Sequence, residues 1–394
     1  MLLNQFVADV AICFEKIGLP HQKKAGYRLF SGMDPFASFA HLTDPRVQGR
    51  CLHQLVDILD LLLCGTLAGC DDLPEICDYG RARLAFLRTE LGLVFANGIP
   101  SEDTLERLLK RLDPNELAQT LRSCAGSLAG RQLCVDGKEH RATTPAGRRH
   151  ALVRTVSVWV ADARLSFGQA QIGAKTNERT AIPALLDTLD VAGSVVTIDA
   201  IACQPSIVGR VVARGADYVI ALKKNAKTLY EQASEHLLAR AAHLPTHRSQ
   251  DKGHGRGERR TVRICQDLAL LDACTDWPGL RTLVLVETER HTSQGLTHTR
   301  RFYLSSLTDP DPAVYARLIR EHWAVENQLH WQLDLTFKED RSRLRTGHAA
   351  LNANILRKTA LYLLAQDPQP ISLKRKRKQA AYDNEYLRQL LRNA

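Results

Sequence analysis

The chain has 394 residues, 44% hydrophobic and 24% charged, which is typical of a soluble globular protein with two or three domains. Its formal net charge of +10 favours a polyanionic partner, nucleic acid or an anionic membrane surface, although a basic protein without such a partner has the same composition. The ten cysteines form no CxxC pair and show no zinc-site spacing, so we expect free, mostly buried thiols in a reducing compartment.

The region before residue 130 has helical patterning. Residues 1–40 have a weakly amphipathic start and then a Gly, Pro and Phe-containing stretch, from which we predict a partly ordered arm. The predicted helices occupy 53–68 and 73–91, one begins after the candidate cap Ser101, and one begins at Asp113-Pro114. Because no strand-like alternation appears, we predict an all-helical N-terminal domain over 1–130, which is the expected DNA-end-binding domain.

Two features bear on location. The first 18 residues lack the basic lead and continuous apolar run of a signal peptide. The most apolar stretch, residues 58–63, is interrupted by Asp60 and is too short to cross a bilayer. We therefore expect a cytoplasmic protein with no membrane partner.

From residue 131 to 241 apolar strands alternate with helices. Predicted strands lie at 133–135, 152–161, 166–172, 194–198 and 217–222, and predicted helices at 178–189, 203–214 and 227–241. This alternation is typical of an α/β protein whose sheet is covered by helices on both faces.

The rest of the chain divides into two further parts. Residues 242–310 contain a polar, basic segment followed by two strand-like segments, so we predict a β-rich insertion. Residues 311–394 are helical again at 312–337 and 345–394, and they include the basic run KRKRK at 374–378.

Three acidic residues are candidates for catalysis. Asp136 and Asp199 are predicted to stand at the C-terminal ends of buried strands, where an α/β sheet places its active site. Either residue alone could instead cap the following helix. Glu326 lies beside a helical stripe formed by Trp323, Asn327, His330 and Asp334, and this pattern alone favours a solvated residue on a core helix.

Twelve segments extend the evidence over almost the whole chain. They are DPR-x-QGR at 44–50, LAGCDDLPEI at 67–76, PSEDTLERLLKRLDP at 100–114, VDGK at 135–138, KTNERTAIPALLDTLD at 175–190, VTIDAIACQ at 196–204, GADYVIALKKN at 215–225, KGHGRGERR at 252–260, WPGL at 277–280, RFYLSSL at 301–307, HWAVENQLHWQLDLTFKED at 322–340 and SLKRKRKQA at 372–380. In this order and spacing the sequence resembles the H-repeat-associated, ISAs-type insertion-sequence transposases, which are DDE transposases with a ribonuclease H-like core.

The resemblance implies a fold and a site. The fold is an α/β, ribonuclease H-like catalytic core over 131–241 and 311–394, interrupted by the β-rich insertion at 242–310 and followed by a basic helical C-terminal segment. Asp136, Asp199 and Glu326 are implied as the catalytic acids, which hold two Mg²⁺ ions, with Mn²⁺ able to substitute. His322 and Leu333 stand where the wider family usually has an arginine and a lysine.

The implied function is DNA transposition, meaning cleavage of DNA at the element's terminal inverted repeats and strand transfer into target DNA. Because element ends occur as inverted pairs, we expect a homodimer or larger synaptic assembly. Two alternatives stay open: a catalytically decayed or recruited DNA-binding protein, and a nuclease without strand transfer. Candidate DNA contacts are Lys138, Lys223, Lys224, His254, Arg256, Arg259, His322, Asn327 and His330, with KRKRK as a further nonspecific candidate; a solvated charged surface is the alternative for the basic segments.

Overall fold

The computed structural model describes residues 38–122, 128–140, 153–172, 177–253, 256–269, 271–292 and 295–392. The predicted N-terminal arm lies almost entirely outside these ranges. In the part of the chain that is described, no helix is both long and apolar enough to span a bilayer.

The described part of the N-terminal region, residues 38–122, is helical, as predicted. Its helices are α1 (Leu55–Leu67), α2 (Leu73–Ala82), α3 (Leu84–Thr89), α4 (Glu102–Arg111) and α5 (Pro114–Arg122). The single helix predicted over 73–91 is wrong, since Arg83 interrupts it between α2 and α3. Helix α4 begins after Ser101 as expected, but this hydroxyl meets the Thr104 hydroxyl at 3.1 Å and caps no backbone N–H.

A nine-stranded sheet forms the centre of the molecule. Its strands are β1 (Gln132–His140), β2 (Val153–Val160), β3 (Leu165–Ile172), β4 (Val195–Ile198), β5 (Asp217–Leu222), β6 (Thr246–Gly253), β7 (Arg256–Cys265), β8 (Thr282–Thr292) and β9 (Gly295–Ser305). The spatial order is β3-β2-β1-β4-β5-β9-β8-β7-β6. Strands β1, β4 and β5 run parallel to one another, and every other neighbouring pair is antiparallel.

The segment predicted as a β-rich insertion continues the same sheet. Strand β9 pairs with β5 over four residues, and β8, β7 and β6 follow it outward. These outer strands are therefore joined to the parallel strands by backbone hydrogen bonds, with Leu222 opposite Phe302 at the junction.

Helices cover both faces of the sheet, as the alternating pattern predicted. The helices after β3 are α6 (Glu178–Asp187), α7 (Pro205–Ala213), α8 (Lys227–Arg240), α9 (Pro312–His322), α10 (Trp331–Leu335), α11 (Ala349–Gln366), α12 (Leu373–Tyr382) and α13 (Asn384–Arg392). At β3, Gly168 faces Leu185 of α6, whereas its neighbour Gln169 accepts a hydrogen bond from Lys358 of α11. Because successive strand residues point to opposite faces, α6 and α11 lie on opposite sides of the sheet.

The C-terminal basic run corrects a sequence expectation. KRKRK lies in α12, where Lys376 and Arg377 are buried. The Lys376 ammonium donates to the Leu364 carbonyl, and the Arg377 guanidinium donates to the Asp71 carboxylate. Two of the five residues of this run therefore hold helices together, because burying cations requires internal acceptors, and the run is not a uniform DNA-binding segment.

Candidate active site

Strand register brings the first two acids together. Val135 of β1 is paired with Ile198 of β4 in a parallel ladder, and the next residue on each strand is an aspartate, Asp136 and Asp199. Neighbouring strands lie about 4.8 Å apart, so the two residues are side by side at the point where the ladder ends. The Thr197 and Cys134 side chains, two residues earlier, lie on the same face, which α9 covers.

Asp199 directly follows β4 as predicted, but the prediction that Asp136 ends its strand is wrong. Strand β1 continues to His140, because its antiparallel pairing with β2 runs five residues beyond the last pair with β4. The continuous run of buried residues in β1 nevertheless ends at Val135. Asp136 thus faces the cleft because the ladder with β4 ends one residue before it. Pairing with β2 continues on the other side and fixes its backbone.

Glu326 lines the same cleft as these two aspartates. The cleft has a volume of about 620 Å³ and is bounded by β4, β5, β9 and the segment after α9. The predicted continuous helix over 312–337 is interrupted there: α9 ends at His322, and Glu326–His330 form a π-helical turn before α10. Such turns widen a helix by one residue and occur frequently at functional sites.

Each aspartate keeps one carboxylate oxygen hydrogen-bonded to the chain beside it. Asp136 accepts from the Gly137 amide at 2.8 Å and Asp199 accepts from the Ala200 amide at 2.6 Å. The Lys223 ammonium lies 3.4 Å from Asp199, and His330 Nε2 lies 3.3 Å from the second oxygen of Asp136. The backbone contacts orient both carboxylates and leave oxygen atoms facing the cleft.

The donor set is chemically suited to a hard divalent cation, because all three acids offer carboxylate oxygens, the ligands that Mg²⁺ prefers. Within the described ranges, however, no three Asp, Glu, His or Cys side chains are gathered closely enough to hold a metal ion. The three carboxylates therefore suit a metal ion by their chemistry and share one cleft, but their side chains are not gathered into a closed metal site.

The candidate DNA contacts fall into three groups. Lys223, Lys224 and His322 line the cleft, and Asn327 is exposed near it. Lys138 and His330 are buried. Lys138 is only 9% exposed, and its ammonium binds Asp334 and Glu339. The structure therefore contradicts the DNA contact expected for Lys138, because two carboxylates already pair with its charge.

The remaining candidates lie in the outer strands. His254 and the side chain of Arg256 fall outside the described residues. Arg259 lies on a second groove, which is formed across β6–β9 and has a volume of about 730 Å³. The basic side chains of this outer groove are Arg248, Arg259, Arg263, His298 and Arg300, and its acids are Glu287 and Glu289. Thr299 and Arg300 line both the outer groove and the cleft, so the two cavities share part of their walls.

Sequence reasoning missed a fourth acid beside the aspartates. Glu178 is the first residue of α6, between the Asn177 and Thr180 side chains that form its capping box. Its carboxylate lies directly over Gly137, where an added Cβ would stand 2.2 Å from Glu178 Oε1. Burial raises the pKa of Glu178, and repulsion from Asp136 raises it further. In the sequence, Gly137 directly after Asp136 and an acid at the capped start of α6 were the features that could have indicated Glu178.

The cleft wall also contains residues that the sequence pattern did not select. Arg301 of β9 stacks over the Trp323 ring at 4.9 Å, and 47% of Trp323 is exposed. Burial lowers the pKa of the neighbouring His322, although Asp136 and Asp199 oppose that shift. The cleft thus combines an acidic floor with basic and aromatic walls.

Comparison with known proteins shows which family the chain belongs to. The chain matches the family described as "Transposase DDE domain" over residues 128–363 and "DDE_Tnp_1-associated" over 36–125. It is 34% identical to "Putative transposase YncI" of Escherichia coli O157:H7 over 366 residues, 89% of this chain and 92% of the relative. It is 33% identical to "H repeat-associated putative transposase YhhI" of Escherichia coli K12, covering 89% and 95%. The chain therefore belongs to the DDE-domain transposase family.

Proposed function

We propose that this transposase cleaves DNA at the ends of an insertion sequence and transfers the freed 3′ ends into target DNA, with Asp136, Asp199 and Glu326 as its catalytic acids. One observation carries the proposal: the two aspartates follow the last paired residues of adjacent parallel strands, and Glu326 lines the cleft above them. Three carboxylates facing one cleft are suited to phosphoryl transfer assisted by divalent metal ions.

We further propose that β1–β5 with α6, α7, α9 and α11 form a ribonuclease H-like core. The support is the strand order β3-β2-β1-β4-β5, with three antiparallel strands followed by two that run parallel to β1. In this description β6–β9 are inserted between β5 and α9, and the domain limits 131–241, 242–310 and 311–394 are proposed on the same basis.

In the proposed mechanism Asp136, Asp199 and Glu326 would hold the metal ions, with Asp136 serving both, Asp199 one and Glu326 the other. Two Mg²⁺ ions would supply charge stabilisation for the attacking and leaving oxygens. The chain's own contribution is orientation. The Gly137 and Ala200 amides orient the aspartates. Lys223, Lys224 and Arg301 line the cleft and would bind the DNA phosphates that flank the scissile bond.

The proposed partners follow from this chemistry. The substrate is duplex DNA at the element's inverted repeats, and the second substrate is target DNA. Two ends must be processed together, so a homodimer or larger assembly with two-fold symmetry is the proposed working form, acting on the bacterial chromosome in the cytoplasm.

The test uses the full chain and labelled element ends. Wild type should produce cleaved and joined products with Mg²⁺ or Mn²⁺ and none in excess chelator, while Asp136→Ala, Asp199→Ala and Glu326→Ala should bind ends normally and lose cleavage. Glu321→Ala serves as the matched control, because this acid of α9 does not line the cleft. Cleavage in chelator would exclude the mechanism. Binding without cleavage by wild type would support the alternative, a DNA-binding protein derived from a transposase.

A further inference from the structure

One face of β1 is contacted along its whole length by the segment that carries Glu326. Alternate side chains of β1 point to this face. Taken in order, Gln132 contacts the Leu318 carbonyl, Cys134 the Glu321 carbonyl, Asp136 the His330 ring, Lys138 the Asp334 carboxylate and His140 the Glu339 carboxylate. Strand and segment therefore run in the same direction, and Glu326 lies between the contacts made by Cys134 and Asp136.

Near the candidate site, the spacing of the contacting residues along β1 nearly equals the spacing of their partners along the helix. Residues 136 and 138 of a strand are separated by about 6.6 Å, and residues 330 and 334 of a helix by about 6 Å. The two pairs, Asp136 with His330 and Lys138 with Asp334, can therefore form at the same time only in one register of the helix against the strand.

Lys138 makes the strongest contacts of this series. Its ammonium lies 2.6 Å from Asp334 Oδ1 and 2.8 Å from Glu339 Oε2, and only 9% of the side chain is exposed. Glu339 is 5% exposed and is held in turn by the Asn354 amide at 2.7 Å. A buried cation with two carboxylate partners resists displacement, because any slip of the helix would leave charges buried without partners.

We infer that Lys138 is a positioning residue, whose ion pairs with Asp334 and Glu339 set the register of the glutamate-bearing segment against β1 and thereby align Glu326 with Asp136 and Asp199. A slip by one residue would move Glu326 by about 1.5 Å along the helix axis and about 100° around it, out of the cleft. The inference rests on the proposed role of Glu326 and assigns to Lys138 a role distinct from binding DNA.

The experiment compares Lys138→Met with Lys376→Met in the full chain. Lys376 is a matched control, because its buried ammonium also pairs with an aspartate, Asp367, at 3.4 Å but joins α11 to α12. Lys138→Arg tests whether a cation at this position restores the register, and Asp334→Asn removes one partner whose side chain is 31% exposed.

Three quantities are measured: amide hydrogen exchange of residues 326–341 in the protein alone, affinity for element ends in Ca²⁺, and the single-turnover cleavage rate in Mg²⁺. Lys138→Met should accelerate exchange in 326–341 and slow cleavage about a hundredfold, the cost typical of an ångström-scale misplacement, with end affinity unchanged. Lys138→Arg should recover part of the rate, and Lys376→Met should cleave within about threefold of wild type.

Equal loss of cleavage in Lys138→Met and Lys376→Met, or wild-type exchange and cleavage in Lys138→Met, would overturn the inference. If Lys138→Met does not fold, Asp334→Asn decides by the same criteria. Faster exchange in 326–341 with no cleavage by wild type would retain the register role and reject the proposed function, so the two failures are distinguishable.

Discussion

Lysines with similar sequence surroundings have opposite environments in this molecule. Lys138 and Lys223 each follow a buried strand segment close to an acid, and both are predicted from the sequence as phosphate contacts. Lys223 is 65% exposed beside Asp199, whereas Lys138 is enclosed by α10 and the turn after it. The difference arises from which element covers each strand, and that information is not local to either lysine.

His140 is expected to make stability depend on pH. Burial lowers the pKa of this imidazole to about 4; Glu339 opposes the shift, and Lys358, Lys138 and Arg357 reinforce it. The unfolded imidazole titrates near 6.5, so its contribution to stability is complete above pH 6.5 and is lost as the pH falls towards 4. Between pH 7.5 and 4.5, His140→Gln should lose about 2 kcal/mol less stability than wild type.

Urea unfolding at both pH values measures this difference. The exposed His298 provides the control, and His298→Gln should follow the wild-type pH dependence. Equal losses of stability in His140→Gln and wild type would show that the imidazole titrates alike in both states.

At the scale of elements, two departures from the sequence expectation shape the site. Strand β1 extends past Asp136, and the predicted helix over 312–337 contains the π-helical turn at Glu326. Pairing with β2 extends β1 past Asp136. The π-helical turn occurs where α9 and α10 pack along β1. Hydrophobic periodicity detects neither, because it reports which residues are buried and not where a ladder ends or a helix widens.

We expect Arg377 of α12 to stabilise the fold by contacts with other segments. This guanidinium donates to the Thr66 and Thr336 carbonyls and the Asp71 carboxylate, and it stacks over the Phe337 ring at 4.5 Å. Arg377→Met should reduce the free energy of unfolding by about 3 kcal/mol, the lower end for a broken buried ion pair, because Lys338 still pairs with Asp71.

The matched control for this change is Arg375→Met on the exposed side of α12, which should alter stability by less than about 0.5 kcal/mol. Denaturant unfolding measures both variants. If Arg377→Met and wild type had the same free energy of unfolding, the contacts of Arg377 would make no net contribution to stability.

At the scale of the whole molecule, the continuous sheet joins the acidic cleft to the basic outer groove. Arg259 and Arg300 project from β7 and β9, and each is 59% exposed although ion-paired with Glu289 or Glu287. Thr299 and Arg300 line both cavities, and on this basis we expect DNA bound in the cleft to reach the outer groove as well.

Replacing Arg259 and Arg300 together by alanine should therefore weaken the salt dependence of DNA binding. Each phosphate contact contributes about −0.9 to the log–log slope, so the slope should become shallower by about two. Element ends and scrambled duplexes should lose affinity alike, because backbone contacts carry no sequence information. Binding isotherms across a salt series measure both effects.

The control replaces Arg210 and Arg317, which are exposed on α7 and α9 and line neither the cleft nor the outer groove. It should leave the slope unchanged. An unchanged slope in the Arg259 and Arg300 double variant would remove the outer groove from the DNA path, and a loss confined to element ends would identify it as a reader of sequence.

The sequence by itself determined the helical N-terminal region, the alternating strands and helices of the centre, and the family. Apolar periodicity and the ordered motifs are local properties, and they located Asp199 directly after its strand and selected Asp136 and Glu326. Only the tertiary structure decided that Asp136 and Asp199 are neighbours, that Glu178 approaches Gly137, and that Lys138 and Arg377 are buried. These facts depend on strand register and on helix packing between segments up to about three hundred residues apart, as for Arg377 with Asp71. The residues next to a charged side chain in the sequence do not determine which distant element will bury it.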